Sequence, residues 1–239
     1  MSSNWDSSAK AWIALIGDEG DYSRRAILDA PMMARVAASG AQTVLDVGCG
    51  EGRFCRMLAK AGLRPTGLDP TAPLLDHARS RGGAEFAQGR AEAMPFQDAA
   101  FDMVVSYLSL IDIADAKTAL AEMVRVLRPG GLLLIGNLNS WITAAQIHPP
   151  HWRRNPDGTV TATIDRYLEE FSYPARWQGI DIFNWHRPQR FYMQTLLAHG
   201  LTLTHFDEPA ATEPPEAEQK NRAPYLYLME WMKPKQDVR

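Results

Sequence analysis

Apolar positions along this chain follow two alternating rhythms. Short β-branched or aliphatic runs at 44–47 (VLDV), 65–68 (PTGL), 101–107 (FDMVVSY) and 131–137 (GLLLIGN), with a weaker one from Glu85 to Gln88, read as strands. Between them Phe54, Met57, Leu58 and Ala61, then Leu74, Leu75 and Ala78, then Leu120, Met123, Val124 and Leu127 recur at helical spacing, and Gly62 supplies a stop. Strand and helix in alternation predict an α/β fold: a parallel sheet covered by helices on both faces, with a ligand at the carboxyl ends of the strands.

Both ends of the chain add to this core. Ser7 or Ser8 can cap a helix through about Ile16, GDEGD breaks it, and Tyr22 to Ser39 reads as helical in two pieces with Pro31 opening the second. Residues 186–200 read as a helix with Pro188 near its start and Gly200 after its end, and LTLTHFDEP and APYLYLMEW then alternate as two strands. Residues 138–187 interrupt the alternation. They carry Trp141, Trp152, Trp177, Trp185, Tyr167, Phe171, Tyr173 and Phe183 among turn formers, and read as an inserted cap whose rings either dock it on the core or line an apolar substrate pocket. The organisation expected is one domain: N-terminal helices over 1–40, a cofactor-binding core over 41–137, the cap over 138–187, and the last helix and terminal hairpin over 188–239.

Composition narrows the class. The chain has 239 residues, 46% of them hydrophobic, enough for one sizeable core. A formal net charge of −3 gives no general attraction to phosphate backbones or anionic membranes, so nucleic-acid and membrane partners are not expected. Cys49 and Cys55 are too few and wrongly placed for a disulfide framework or a metal site. No apolar stretch approaches the roughly 20 residues needed to cross a bilayer, and a cytoplasmic protein is expected.

The chemistry concentrates in VLDVGCGEGRF at 44–54. A strand delivers a loop with glycines at 48, 50 and 52 to a helix N-terminus, where a ligand can lie against the main chain without meeting a Cβ. The dinucleotide spacing GxGxxG is not kept, because Arg53 holds its third glycine position. Asp46 before the loop would repel a pyrophosphate but suits an ammonium group, and Asp69, ending the next strand, can accept from a ribose diol.

These residues resemble motif I and the acidic motif II of the class I S-adenosylmethionine-dependent methyltransferases. FDxVxS at 101–106 followed by a helix and RVLRPGG at 125–131 resembles their central motifs, and the likeness spans about Val44 to Trp231, nearest the type-11 small-molecule family. The resemblance implies a Rossmann-like, seven-stranded sheet in the order 3-2-1-4-5-7-6, its last strand antiparallel. It implies S-adenosylmethionine as cofactor, S-adenosylhomocysteine as product and a small-molecule methyl acceptor as partner.

Carried onto this sequence, the resemblance assigns cofactor binding to Asp46, Gly48, Cys49, Gly50, Asp69 and Pro70, and to Ala91 and Glu92 in the adenine-holding segment GRAEAMPF, where Arg90 replaces a common Asp. A Tyr or Arg from the N-terminal helices meets the cofactor carboxylate in such proteins, so Tyr22, Arg24 and Arg25 are candidates against the alternative of an exposed helix face. A general base helps when the acceptor carries a proton, and His148 and His186 near the substrate entrance, with Tyr107 after the fourth strand, are the catalytic candidates. Tyr107, Trp152, Trp185 and Arg187 are candidates for substrate contact, with Arg187 pairing either an acidic substrate or Glu169 or Glu170.

The function expected is methyl transfer to an O, N or C nucleophile of a small molecule by in-line displacement. A protein or nucleic-acid methyltransferase shares the core, although SYLS at 106–109 lacks the Asn/Asp-Pro-Pro-aromatic stretch of amino-methylating nucleic-acid enzymes. A non-catalytic cofactor-binding relative and a nicotinamide-dependent oxidoreductase are the alternatives from other classes.

Overall fold

The computed structural model describes residues 5–145 and 152–235, without the side chain of Trp152. Helix α1 (Trp5–Ile16) is followed by a π-helical turn at Arg24–Leu28 that runs directly into α2 (Asp29–Ser39), closed by Gly40 in the left-handed region. Pro31 therefore sits third in α2 rather than first. The Asp29 amide donates to the Arg24 carbonyl five residues back, so Pro31, which has no amide to give, enters a continuous helical run just where the ladder leaves its π-helical register.

The alternating core then proceeds through β1 (Thr43–Val47), α3 (Arg53–Lys60), β2 (Arg64–Asp69), α4 (Ala72–Arg81), β3 (Glu85–Gln88), β4 (Phe101–Tyr107), α5 (Ala116–Val126) and β5 (Leu127–Leu138). Asp115 caps α5 by accepting from the Thr118 amide at 3.0 Å. The insert comprises α6 (Ser140–Ala145), a hairpin of β6 (Trp152–Arg154) and β7 (Val160–Ala162), and a longer hairpin of β8 (Phe171–Trp177) and β9 (Ile180–His186). Helix α7 (Gln189–Ala198), β10 (Thr202–Asp207), the short α8 (Glu216–Lys220) and β11 (Leu226–Met232) complete the chain.

One sheet of seven strands, ordered β3-β2-β1-β4-β5-β11-β10, runs through the molecule. Counted along the chain as strands of this sheet alone, that order is 3-2-1-4-5-7-6. All neighbours are parallel except β11, which is antiparallel to both β5 and β10. Both faces are covered, as a central parallel sheet requires. Leu45, Val47, Val104, Leu133, Ile135, Met229 and Trp231 pack with α5 and α7 on one face. Val44, Met103, Val105, Leu134 and Leu228 pack with α2 and α3 on the other.

A third cluster joins α1 to the insert. Ala9, Trp12 and Ile16 pack with Leu74 of α4 and with Ile180 and Ile182 of β9, and the Asp181 amide donates to Ser8 Oγ at 3.1 Å. The N-terminal helix and the β8–β9 hairpin thus form one roof over the carboxyl ends of β1, β2 and β4. Among the described residues, no helix is long and apolar enough to cross a membrane.

Candidate functional site

Under that roof lies a cleft of about 780 Å³. Its floor is the loop from β1 to α3. The amides of Gly48 and Cys49 both donate to the Leu68 carbonyl, at 2.7 and 3.1 Å, which lashes the loop to the end of β2. Asp69 then fixes the loop from the other side, accepting from the Gly50 amide at 2.9 Å and from the Thr71 amide at 2.8 Å.

The three loop glycines all have positive φ, at 76°, 55° and 80°, but for different purposes. A Cβ on Gly48 would stand 2.4 Å from Cβ of Ser109, and one on Gly52 would stand 2.9 Å from the Phe86 ring, so both allow close packing of the fold. A Cβ on Gly50 would meet only Trp12 Nε1, at 3.8 Å. Its outer side is open cleft.

Two buried carboxylates flank this space. Asp46 is 2% exposed, its Oδ2 lies 3.5 Å from Cys55 Sγ, and burial pushes its carboxyl up to about 7. Asp69 is 6% exposed, and burial raises it against the opposing pull of its two amide donors. Carboxylates held in this state gain from a positively charged or hydroxyl-bearing ligand, which would replace the water they have lost. Pro70, Cys49, Ala91 and Glu92 also line the cleft, and the Glu92 carboxylate pairs with Arg90 at 2.8 Å.

The N-terminal contribution differs from expectation. Tyr22 donates its hydroxyl to the Glu213 carbonyl, and Arg25 forms a forked pair with the Glu213 carboxylate at 2.8 to 3.1 Å, so both face the β10–β11 connection. Arg24 lies between them in sequence and projects the other way, into the cleft with Asp21 and Ser23. Tyr22 and Arg25, three residues apart, share one face of the helical run, and that face meets Glu213. Arg24 is held by Asp21 at 2.6 Å and lies 4.9 Å above the Trp12 ring and 5.6 Å from the Tyr107 ring.

The proposed bases fare differently. His148 lies outside the described residues. His186 is fully buried behind the cleft wall, with Nδ1 2.6 Å from Thr143 Oγ1 and Nε2 2.9 Å from the Tyr167 carbonyl. A carbonyl can only accept, so Nε2 carries the proton and Nδ1 is occupied by the threonine. Burial lowers its pKa further. Its position inside the cap therefore makes it a packing residue. Tyr107 does line the cleft, but its hydroxyl donates to Asp29 at 2.8 Å, and burial beside that carboxylate raises its pKa and keeps it neutral.

The substrate candidates in the cap are also redirected. Trp185 donates its amide to the Ile111 carbonyl at 2.6 Å, with its ring 5.2 Å from the Arg187 guanidinium, outside the cleft lining. Arg187 is 2% exposed and donates to the carbonyls of Leu110, Ile113 and Ala114 at 3.2, 2.7 and 2.8 Å, with Nε 3.5 Å from Glu170. It shapes the segment after β4 rather than meeting a ligand. Only the backbone of Trp152, in β6, is described. The cap residues that do line the cleft are Tyr173, Pro174, Ala175, Arg176, Trp177, Ile182 and Asn184, with Trp5, Asp112 and Tyr225 from elsewhere. Period-2 alternation in β9 was the available signal for Ile182 and Asn184.

Residues 45–135 match the family model described as a methyltransferase domain, of type 11. The malonyl-[acyl-carrier protein] O-methyltransferase of Serratia marcescens is 39% identical over 124 residues, 50% of this chain and 49% of that protein. The O-methyltransferase resE of Aspergillus sclerotiorum is 37% identical over 157 residues, 62% of this chain and 54% of that protein. The chain spans about half the length of these curated relatives. A crystal structure of an S-adenosylmethionine-dependent methyltransferase from Mesorhizobium loti superposes with a TM-score of 0.78 at 25% identity, covering 91% of this chain and all of that one. Residues 45–135 thus match a methyltransferase domain of type 11, and the surrounding fold is that of the class I S-adenosylmethionine-dependent methyltransferases, whose cofactor is S-adenosylmethionine.

Proposed function

We propose that the protein transfers a methyl group from S-adenosylmethionine to a nucleophile of a small molecule. The carrying observation is the pair Asp46 and Asp69, both buried and both lining the cleft that Gly50 leaves open. Asp46 receives the ammonium of the cofactor, Arg24 its carboxylate, Asp69 the ribose diol, and the backbone at Ala91 the adenine edge. When bound, the cofactor supplies a methyl group on a sulfonium, open to in-line attack.

The protein's own part is to align and to exclude water. The roof of α1 and the β8–β9 hairpin closes the cleft over the reacting groups, and holding two reactants in line accounts for much of the acceleration such a reaction needs. A cleft roofed by α1 and the β8–β9 hairpin favours a small acceptor over an open nucleic-acid or peptide track.

Calorimetric titration with S-adenosylhomocysteine and with NAD tests the cofactor. The first is expected to bind, with Asp69→Ala weakening it by about 1–3 kcal/mol as a buried charged hydrogen bond is lost. Tight NAD binding without S-adenosylhomocysteine binding would refute the reading. Release of S-adenosylhomocysteine across a panel of acceptors then separates an enzyme from a cofactor-binding relative.

A further inference from the structure

Besides Asp21, Asp46, Asp69 and Glu92 the cleft contains another carboxylate, Asp112, to which the cofactor gives no task. It stands on the segment leaving β4, on the side of the cleft bounded by the cap hairpin. Three elements converge on it. Asn184 of β9 donates from Nδ2 to its Oδ1, and the Trp5 side chain of α1 hydrogen-bonds the same carboxyl. The backbone beneath it is fixed, because Arg187 ties the carbonyls of Leu110, Ile113 and Ala114 and the Trp185 amide ties that of Ile111. The carboxyl is thus held on a rigid support, part of it open to the cleft.

Asp46, Asp69 and the loop glycines occupy the β1 and β2 side of the cleft, where the nucleoside rests on the proposed reading. A second molecule beside it meets Asp112, Asn184 and Tyr173. We propose that Asp112 takes the proton of the methyl acceptor, and that the acceptor is therefore a hydroxyl or an amine and not a carboxylate. This rests on the methyltransferase reading. In the step, the acceptor lone pair forms a bond to the methyl carbon and the carbon–sulfur bond breaks with its electron pair returning to sulfur. The acceptor's O–H or N–H proton passes to the Asp112 carboxylate, leaving a neutral thioether, the methylated product and a protonated Asp112.

The charges around Asp112 suit this task. Burial pushes its carboxyl up to about 8; Arg24 from the π-helical turn and the hydrogen bonds of Trp5 and Asn184 pull it down, and Asp69 pushes it up. Arg187 stands behind the segment with its guanidinium spent on backbone carbonyls. Tyr173 is held neutral by burial beside Asp112 and brings no charge. A base that titrates near the working pH combines availability with driving force. A carboxylate acceptor has no proton to give and would meet like charge in a site with little water to screen it.

The test uses the full chain saturated with S-adenosylhomocysteine, titrated with phenol, benzylamine and benzoate as probes. Phenol and benzylamine are expected to bind at least about tenfold more tightly than benzoate, and the isosteric Asp112→Asn is expected to close that gap while S-adenosylhomocysteine affinity stays as in the unsubstituted chain. With any hydroxyl or amine that is turned over, Asp112→Asn should lower kcat by about 10²–10³-fold and remove the rising limb of the pH profile near pH 8. The same probe ranking in both proteins, or no binding of any of the three, overturns the assignment of Asp112. Failure of S-adenosylhomocysteine itself to bind overturns the methyltransferase reading instead.

Discussion

The Tyr107 hydroxyl donates a 2.8 Å hydrogen bond to Oδ1 of Asp29, and the same carboxylate receives both terminal nitrogens of Arg53. This knot ties the end of β4, the start of α2 and the start of α3 beside the cleft. Arg53 also donates to the carbonyls of Asp18 and Glu19, at 3.2 and 2.7 Å, so it holds the linker after α1 as well. The residue that breaks the dinucleotide glycine spacing is therefore the one that anchors the N-terminal helices over the site.

Tyr107→Phe keeps the ring in the cleft and removes only the hydroxyl. The expected loss is about 1.5–3 kcal/mol of stability, the range for a hydrogen bond to a charged group, with a small effect on kcat. Urea unfolding followed beside turnover checks both. A large fall in kcat with stability unchanged would instead make the phenol a catalytic group.

The glycine loop separates folding from binding. Gly48→Ala places a methyl 2.4 Å from Ser109 Cβ at a φ of 76°, and is expected to cost about 2–5 kcal/mol of stability. Gly50→Ala carries only the backbone strain of about 1–2 kcal/mol, because its methyl points into the cleft. Gly50→Val is expected to fold and yet lose S-adenosylhomocysteine binding. Thermal unfolding and calorimetry on the three variants read the two effects separately.

The Asp46 carboxyl gives the ligand-free protein a definite pH dependence. Its folded value, about 7, lies above the ordinary aspartate value of 3.8, so between those values the folded state holds more protons than the unfolded chain. Its contribution to stability is then fully present below about pH 4 and is lost as pH rises to about 7. Asp46→Asn is expected to flatten that slope in chemical denaturation series. Binding of an ammonium-bearing ligand favours the ionised form, so S-adenosylhomocysteine affinity should rise with pH toward 7 and proton release should be measurable below it.

Arg187→Lys keeps the charge and loses the planar fork that reaches three carbonyls. Leaving those buried carbonyls short of donors is expected to cost about 2–4 kcal/mol in unfolding experiments. The segment carrying Asp112 loosens at the same time, so kcat should fall with S-adenosylhomocysteine affinity retained. Equal loss of both would mean that the whole cleft depends on this arginine.

Most of the fold follows from local pattern. Strands β1, β4 and β5 are apolar on both faces and the helices between them carry apolar stripes, so their order and parallel pairing follow from chemistry that each segment contains on its own. The glycine loop was legible for the same reason: Asp46, Gly48, Gly50 and Asp69 are placed by a backbone conformation and two strand ends that neighbouring residues specify. Whether an arginine in the π-helical turn faces the cleft or Glu213 depends on how that turn is rotated against a distant connection, and only Arg24 proved inward. His186 and Arg187 carry reactive groups in sequence, yet packing turns both into buried donors and acceptors for the main chain and a threonine. Asp112 gains its character from Asn184, Trp5 and Arg24, residues far from it along the chain. Sequence determined the scaffold and the glycine loop, because both rest on short-range periodicity and glycine. Tertiary structure decided which side chains face the cleft, because burial and charge at that point are the sum of contacts between elements that no local window contains.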